Sequence, residues 1–161
     1  VASTASFSTE SDKLQTGGTN RAQTIFQFPA FSGKEPAAVF LKLKGTSSGT
    51  QPVPVHLYRW VAVTDEAALK TGQFPFRKNE MPDSEEPALS VVALGKELQW
   101  VGGFTVEPGT QETCVEITQA VARAKGAPLS LVLARDRRQA GEKPEAEPVE
   151  WQGADLLVYP R

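Results

Sequence analysis

Two residue types that commonly mark an active site are nearly missing from this chain, which holds one cysteine, Cys114, and one histidine, His56. A single thiol excludes an internal disulfide and a cysteine-based metal cluster, and one His beside one Cys disfavours zinc. Cys114 therefore reads as a small core residue. A hydrolytic triad would have to use His56 as its only base. The sequence has no Gly-x-Ser-x-Gly elbow and no phosphate-cradling glycine loop ahead of a helix. Charge imbalance is also lacking, with 17 Lys+Arg against 19 Asp+Glu, so no global field draws the chain to nucleic acid or to anionic lipid. Long apolar runs are absent. The run from Leu129 to Ala134 is far short of the roughly 20 residues of a membrane helix. The opening Val1-Ala2-Ser3-Thr4 lacks the charged and apolar regions of a signal peptide. The expectation is one domain of a larger secreted or cell-surface bacterial protein, with export specified upstream.

What is present in quantity is turn chemistry. Thirteen glycines and twelve prolines are spread along all 161 residues, as in many short strands joined by turns. With 40% apolar residues the chain has the size and composition of a single domain. Strand-like segments run from Thr24 to Phe28, Ala38 to Lys44, Val53 to Trp60, Leu89 to Leu94, Gln99 to Val106, Leu129 to Arg135 and Asp155 to Tyr159. They are β-branched, aromatic or leucine-rich, and bounded by Gly, Pro or Ser.

Several alternate with period two. Val39, Leu41 and Leu43 share one face, with Phe40, Lys42 and Lys44 on the other. Val53, Val55 and Leu57 point inward in the same way, which leaves His56, Tyr58 and Trp60 outward, and Phe26 and Phe28 oppose Ile25 and Gln27. One buried and one wet face imply an all-β antiparallel sandwich, jelly-roll-like. Two short helices interrupt it. One runs from Asp65 to Lys70 behind Thr64; the other, capped by Thr118, ends in basic residues and Gly126. Gly72 to Pro87 and Arg135 to Glu150 read as long surface loops.

The order of these blocks resembles a known family. Ile25-Phe26-Gln27-Phe28-Pro29, Ala38 to Leu43, Val53 to Trp60, Trp100, Cys114 to Val121, Leu129 to Leu133 and Leu156 to Pro160 follow one another as in the DNRLRE-type, disaggregatase-related modules. The resemblance covers most of the chain from Thr24 onward, and it rests on order and spacing because each block alone is a weak pattern. Phe26-Gln27-Phe28-Pro29, Glu116-Ile117-Thr118 and Gly153-Ala154-Asp155 depart from the family's phrasing. What the resemblance implies is a β-sandwich attached to polysaccharide-degrading or surface proteins, in some members a carbohydrate-binding module that takes acidic glycans such as alginate.

A sugar site needs flat apolar rings for the C–H faces of the pyranose, planar hydrogen-bonding groups, and charge-assisted donors if the sugar is anionic. His56, Tyr58 and Trp60 supply the rings, beside Lys42 and Lys44 if their strands pair, with Arg59, Arg135 and Arg137 joining from nearby. Packing under a loop is the competing reading for Tyr58 and Trp60. Trp100 is expected in the core and Trp151 as a loop anchor.

Asp12, Glu10, Asp65, Glu66 and Asp83 offer oxygen ligands for a structural calcium, although no EF-hand spacing occurs. Nineteen acids supply enough carboxylates for an acid and base pair, but they concentrate at the first helix and in the long loops, where solvation explains them. The expected function is non-catalytic binding of a polysaccharide by a monomeric accessory domain, which holds its parent chain near the substrate. The alternative is a structural or adhesive spacer without a sugar site.

Overall fold

The computed structural model describes residues 5–8, 14–16, 24–31, 34–60, 98–135 and 148–160. Among the described residues nine strands and one short helix follow in the order β1 Ala5–Ser8, β2 Gln15–Thr16, β3 Thr24–Phe28, β4 Ala38–Ser47, β5 Val53–Trp60, β6 Leu98–Val106, β7 Gly109–Glu116, α1 Thr118–Ala124, β8 Leu129–Arg135 and β9 Val149–Tyr159. They form two antiparallel sheets, one ordered β1-β3-β8-β5-β6 and the other β2-β9-β4-β7. The chain is an all-β sandwich, as its composition implies. The expected strand at Leu89 to Leu94, the helix at Asp65 to Lys70 and the loop from Gly72 to Pro87 lie outside the described residues.

Alternation builds the interior. Val39, Leu41 and Leu43 of β4 face Val53, Val55 and Leu57 of β5 and Leu129, Leu131 and Leu133 of β8, joined by Phe26, Phe28, Trp151 and Leu156. Each such side chain contributes about 1.5–3 kcal/mol by leaving water. On the outer side of the larger sheet Ile25, Tyr58, Val132 and Ala134 are buried too. The period-two reading of β5 is therefore corrected: side chains on both of its faces are buried from Val53 to Arg59. β8 reads the same way, with Leu129 to Ala134 all buried, Ser130 included.

A polar staple joins the sheets through the interior. The Trp151 indole donates to Thr16 Oγ1 at 2.9 Å, Thr16 lies 3.2 Å from Thr24 Oγ1, and Thr24 donates to the Gln15 carbonyl at 2.7 Å. Trp151 anchors the core from within β9, which begins at Val149, so the expected loop up to Glu150 ends earlier. A second correction concerns Cys114, which is exposed on β7 and not in the core.

Between β6 and β7 the chain crosses from one sheet to the other through Glu107-Pro108-Gly109. Gly109 has φ 97°, a left-handed value that glycine adopts without steric cost. Gln111 secures the crossing, accepting from the Glu107 N–H at 3.0 Å and donating to the Thr105 carbonyl at 3.1 Å. After β7, α1 closes one end of the sandwich with Ala120, Val121 and Ala124. Thr118 does not cap it. Its hydroxyl accepts the Val39 N–H at 3.0 Å and donates to Glu116 at 3.1 Å, which ties the helix start to β4.

Candidate functional site

The residues expected to form a sugar face do not converge. β4 pairs with β7 and β9, whereas β5 pairs with β6 and β8. Lys42 and Lys44 therefore lie on the outer face of one sheet, and His56, Tyr58 and Trp60 on that of the other. Tyr58 is 0% exposed and His56 5%, so neither presents a ring to solvent, while Trp60 is half-buried. Lys42 pairs with Glu112 at 3.8 Å. Arg59 is buried and donates to Gln99 Oε1 at 3.0 Å. Arg135 ends β8 opposite Val55, and Arg137 lies outside the described residues.

Among the described residues two aromatic rings are exposed, Tyr159 at the end of β9 and Trp100, which sequence reasoning assigned to the core. Trp100, on β6, is 46% exposed. Its position follows from a bulge. The pairing of β5 with β6 runs His56↔Gly103 and Leu57↔Gly102, then shifts to Tyr58↔Trp100, which leaves Val101 as the extra residue. The shift brings Trp100 opposite Tyr58 on the outer face, where strict alternation would have brought Val101. Gly103 provides the space beside it: a Cβ there would stand 3.2 Å from His56 Nδ1. His56 lies against this glycine and accepts the Trp100 indole N–H at 3.1 Å. The two rings meet edge to face at 6.2 Å, and Tyr58 stands behind His56 at 6.1 Å.

Beside Trp100 a cleft of about 240 Å³ opens between the start of β6 and the β7–α1 corner. Gln99, Trp100 and Val101 form one wall, and Glu116, Ile117, Thr118, Gln119, Ala120 and Arg123 form the other. Its chemistry is an exposed indole surrounded by two carboxamides, one carboxylate and one guanidinium. Because Arg59 occupies the Gln99 carbonyl, that amide's NH₂ is the group left to donate. The Thr118 hydroxyl orients Glu116. Burial first, and then the positive charge of Arg123, push the Arg59 guanidinium below its ordinary pKa. The two guanidiniums place positive charge at and behind one end of the cleft.

The Gly102-Gly103 doublet inside a strand was the available sequence signal for this arrangement, since glycine within a strand marks a bulge or a close approach. The acids considered for calcium, Glu10, Asp12, Asp65, Glu66 and Asp83, lie outside the described residues. Among the described residues no group of three His, Cys, Asp or Glu side chains could hold a metal ion. No helix of the described residues is long and apolar enough to cross a membrane.

Fold and cleft together define a β-sandwich domain with an aromatic groove at a sheet edge. Among solved structures it is similar to PNGF-II, with a TM-score of 0.52 and 9% sequence identity over 97% of this chain and 34% of that one. The chain thus spans about a third of that neighbour's length, and at this identity the likeness shows the fold alone. No family model matches the chain, and no curated protein matches it.

Proposed function

We propose that this domain is a non-catalytic carbohydrate-binding module whose glycan lies across the Trp100 cleft. The carrying observation is an exposed indole fixed by a hydrogen bond to His56 and surrounded by planar polar groups. A pyranose stacks its C–H face on such a ring while carboxamides and charged groups meet its hydroxyls. The cleft is small beside the roughly 300–1,000 Å³ of drug-sized sites, which suits one sugar ring of a longer chain passing over the edge. Arg123, with Arg59 behind it, favours a glycan that carries carboxylate or sulfate. Acid–base cleavage of a glycosidic bond would call for two facing carboxyl groups, and Glu116 is the one carboxylate among the described lining residues. Tethered to a parent protein outside the cell, such a module raises the local concentration of substrate.

A spacer would bury all its tryptophans. Trp151 follows that rule at 4% exposure, and Trp100 breaks it at 46%. Affinity electrophoresis through gels carrying alginate, other uronic or sulfated glycans, xylan or β-glucan tests the proposal. Retardation by one glycan, lost in Trp100→Ala, is the expected result. Equal mobility in every gel would return the domain to the spacer class.

A further inference from the structure

An indole N–H can only donate, so the 3.1 Å contact from Trp100 Nε1 requires a lone pair on His56 Nδ1. The imidazole that holds Trp100 is therefore neutral, with its proton on Nε2. Protonation places a second N–H on Nδ1, and the two donors then face each other. His56 has little room to escape this by turning, since it is 5% exposed, lies against Gly103 and stands between Tyr58 and Trp100. Trp100 is half in solvent, and its indole can turn to water instead. The imidazole meets Tyr58, a titratable side chain, on its own strand and Trp100 and Gly103 on β6, and its strand lies beside Ala134 of β8.

We propose that His56 is the positioning residue of the cleft. Its neutral ring holds the Trp100 indole in the pose that meets a sugar, and protonation releases that indole. Affinity is full above the His56 titration and falls as pH drops through it. This inference rests on Trp100 carrying the glycan, whereas the bond and its response to pH do not. The expected loss is on the order of threefold to tenfold, equivalent to one net hydrogen bond.

The test follows the Trp100 indole N–H resonance of the ¹⁵N-labelled chain without ligand from about pH 8 to about pH 5, the range around the ordinary imidazole pKa. Trp100→Phe assigns the signal. In the wild type it should move together with the His56 ring protons. In His56→Asn, whose Oδ1 keeps an acceptor without a titrating proton, it should stay fixed. In His56→Leu, which keeps neither, it should sit near its acid position at every pH. A signal that stays put in the wild type, or that moves in His56→Asn, overturns the latch. The same series with the retarding glycan should show the affinity loss in the wild type and its absence in His56→Asn. Constant wild-type affinity across the titration overturns the positioning role. If no glycan is retarded, the binding proposal fails and the ligand-free titration alone decides the latch.

Discussion

Replacing Gly45 with alanine adds one methyl group at the point where β4 passes closest to the largest side chain of the core. A Cβ there would lie 2.7 Å from Trp151 Cζ3, 2.8 Å from Cε3 and 3.1 Å from Val149 Cγ1. Carbon atoms rest at about 3.5–4.0 Å, so the indole would have to retreat by about 1 Å. It is poorly able to do so. Its N–H is held by Thr16 at 2.9 Å, and Phe104 stands edge to face against it at 6.1 Å. Overpacking of this kind costs about 1–3 kcal/mol. At about 2–4 °C per kcal/mol for a domain of this size, the melting temperature of Gly45→Ala should fall by roughly 2–12 °C in calorimetry. Trp151→Leu, which ends at the δ carbons, removes both crowded ring atoms, so the alanine penalty should nearly vanish in that background, and a double-mutant cycle measures the coupling. An unchanged melting temperature in the single variant, or an undiminished penalty in the double variant, would refute this account of the packing at Gly45.

Three further outcomes follow from the same contacts. Thr16→Val removes the acceptor of the buried Trp151 N–H and should cost about 1–3 kcal/mol in urea unfolding. Ser47 is 2% exposed and its hydroxyl has no hydrogen-bond partner among the described residues, so Ser47→Ala should leave stability unchanged or raise it by about 1 kcal/mol; a loss of that size would reveal a hidden partner. Arg123→Gln should weaken binding of an anionic glycan and flatten its dependence on salt, and an unaltered salt slope measured by titration calorimetry would remove Arg123 from the site.

Strand positions were the most legible part of the sequence, because β3, β5 and β8 begin and end at residues where apolar patterning meets turn chemistry. Strand faces were less so. β5 mixes polar and apolar residues at positions that are equally buried, so its alternation does not mark a wet face. β7 escaped notice because its run Gly109–Glu116 is largely exposed and polar, without the apolar stripe that marks a strand. The sheet assignment of Lys42 and His56 is not a local property. Consecutive strands are spatial neighbours in roughly two-thirds of cases, and β4 and β5 belong to the remainder. Trp100, expected in the core, came out exposed for a related reason. One extra residue, Val101, decides which side chain stands opposite Tyr58, and a bulge of one residue leaves only the glycine pair as its trace in the sequence.

The central claim is that Trp100 is the ring a sugar touches. Adding the glycan that retards the domain to ¹⁵N-labelled protein, and following the tryptophan indole resonances, tests this most directly. The account predicts a saturable shift of the Trp100 signal with the buried Trp151 signal unmoved. Shifts confined to Trp60 or to backbone amides on the outer face of β4 and β9, with Trp100 still, would contradict it.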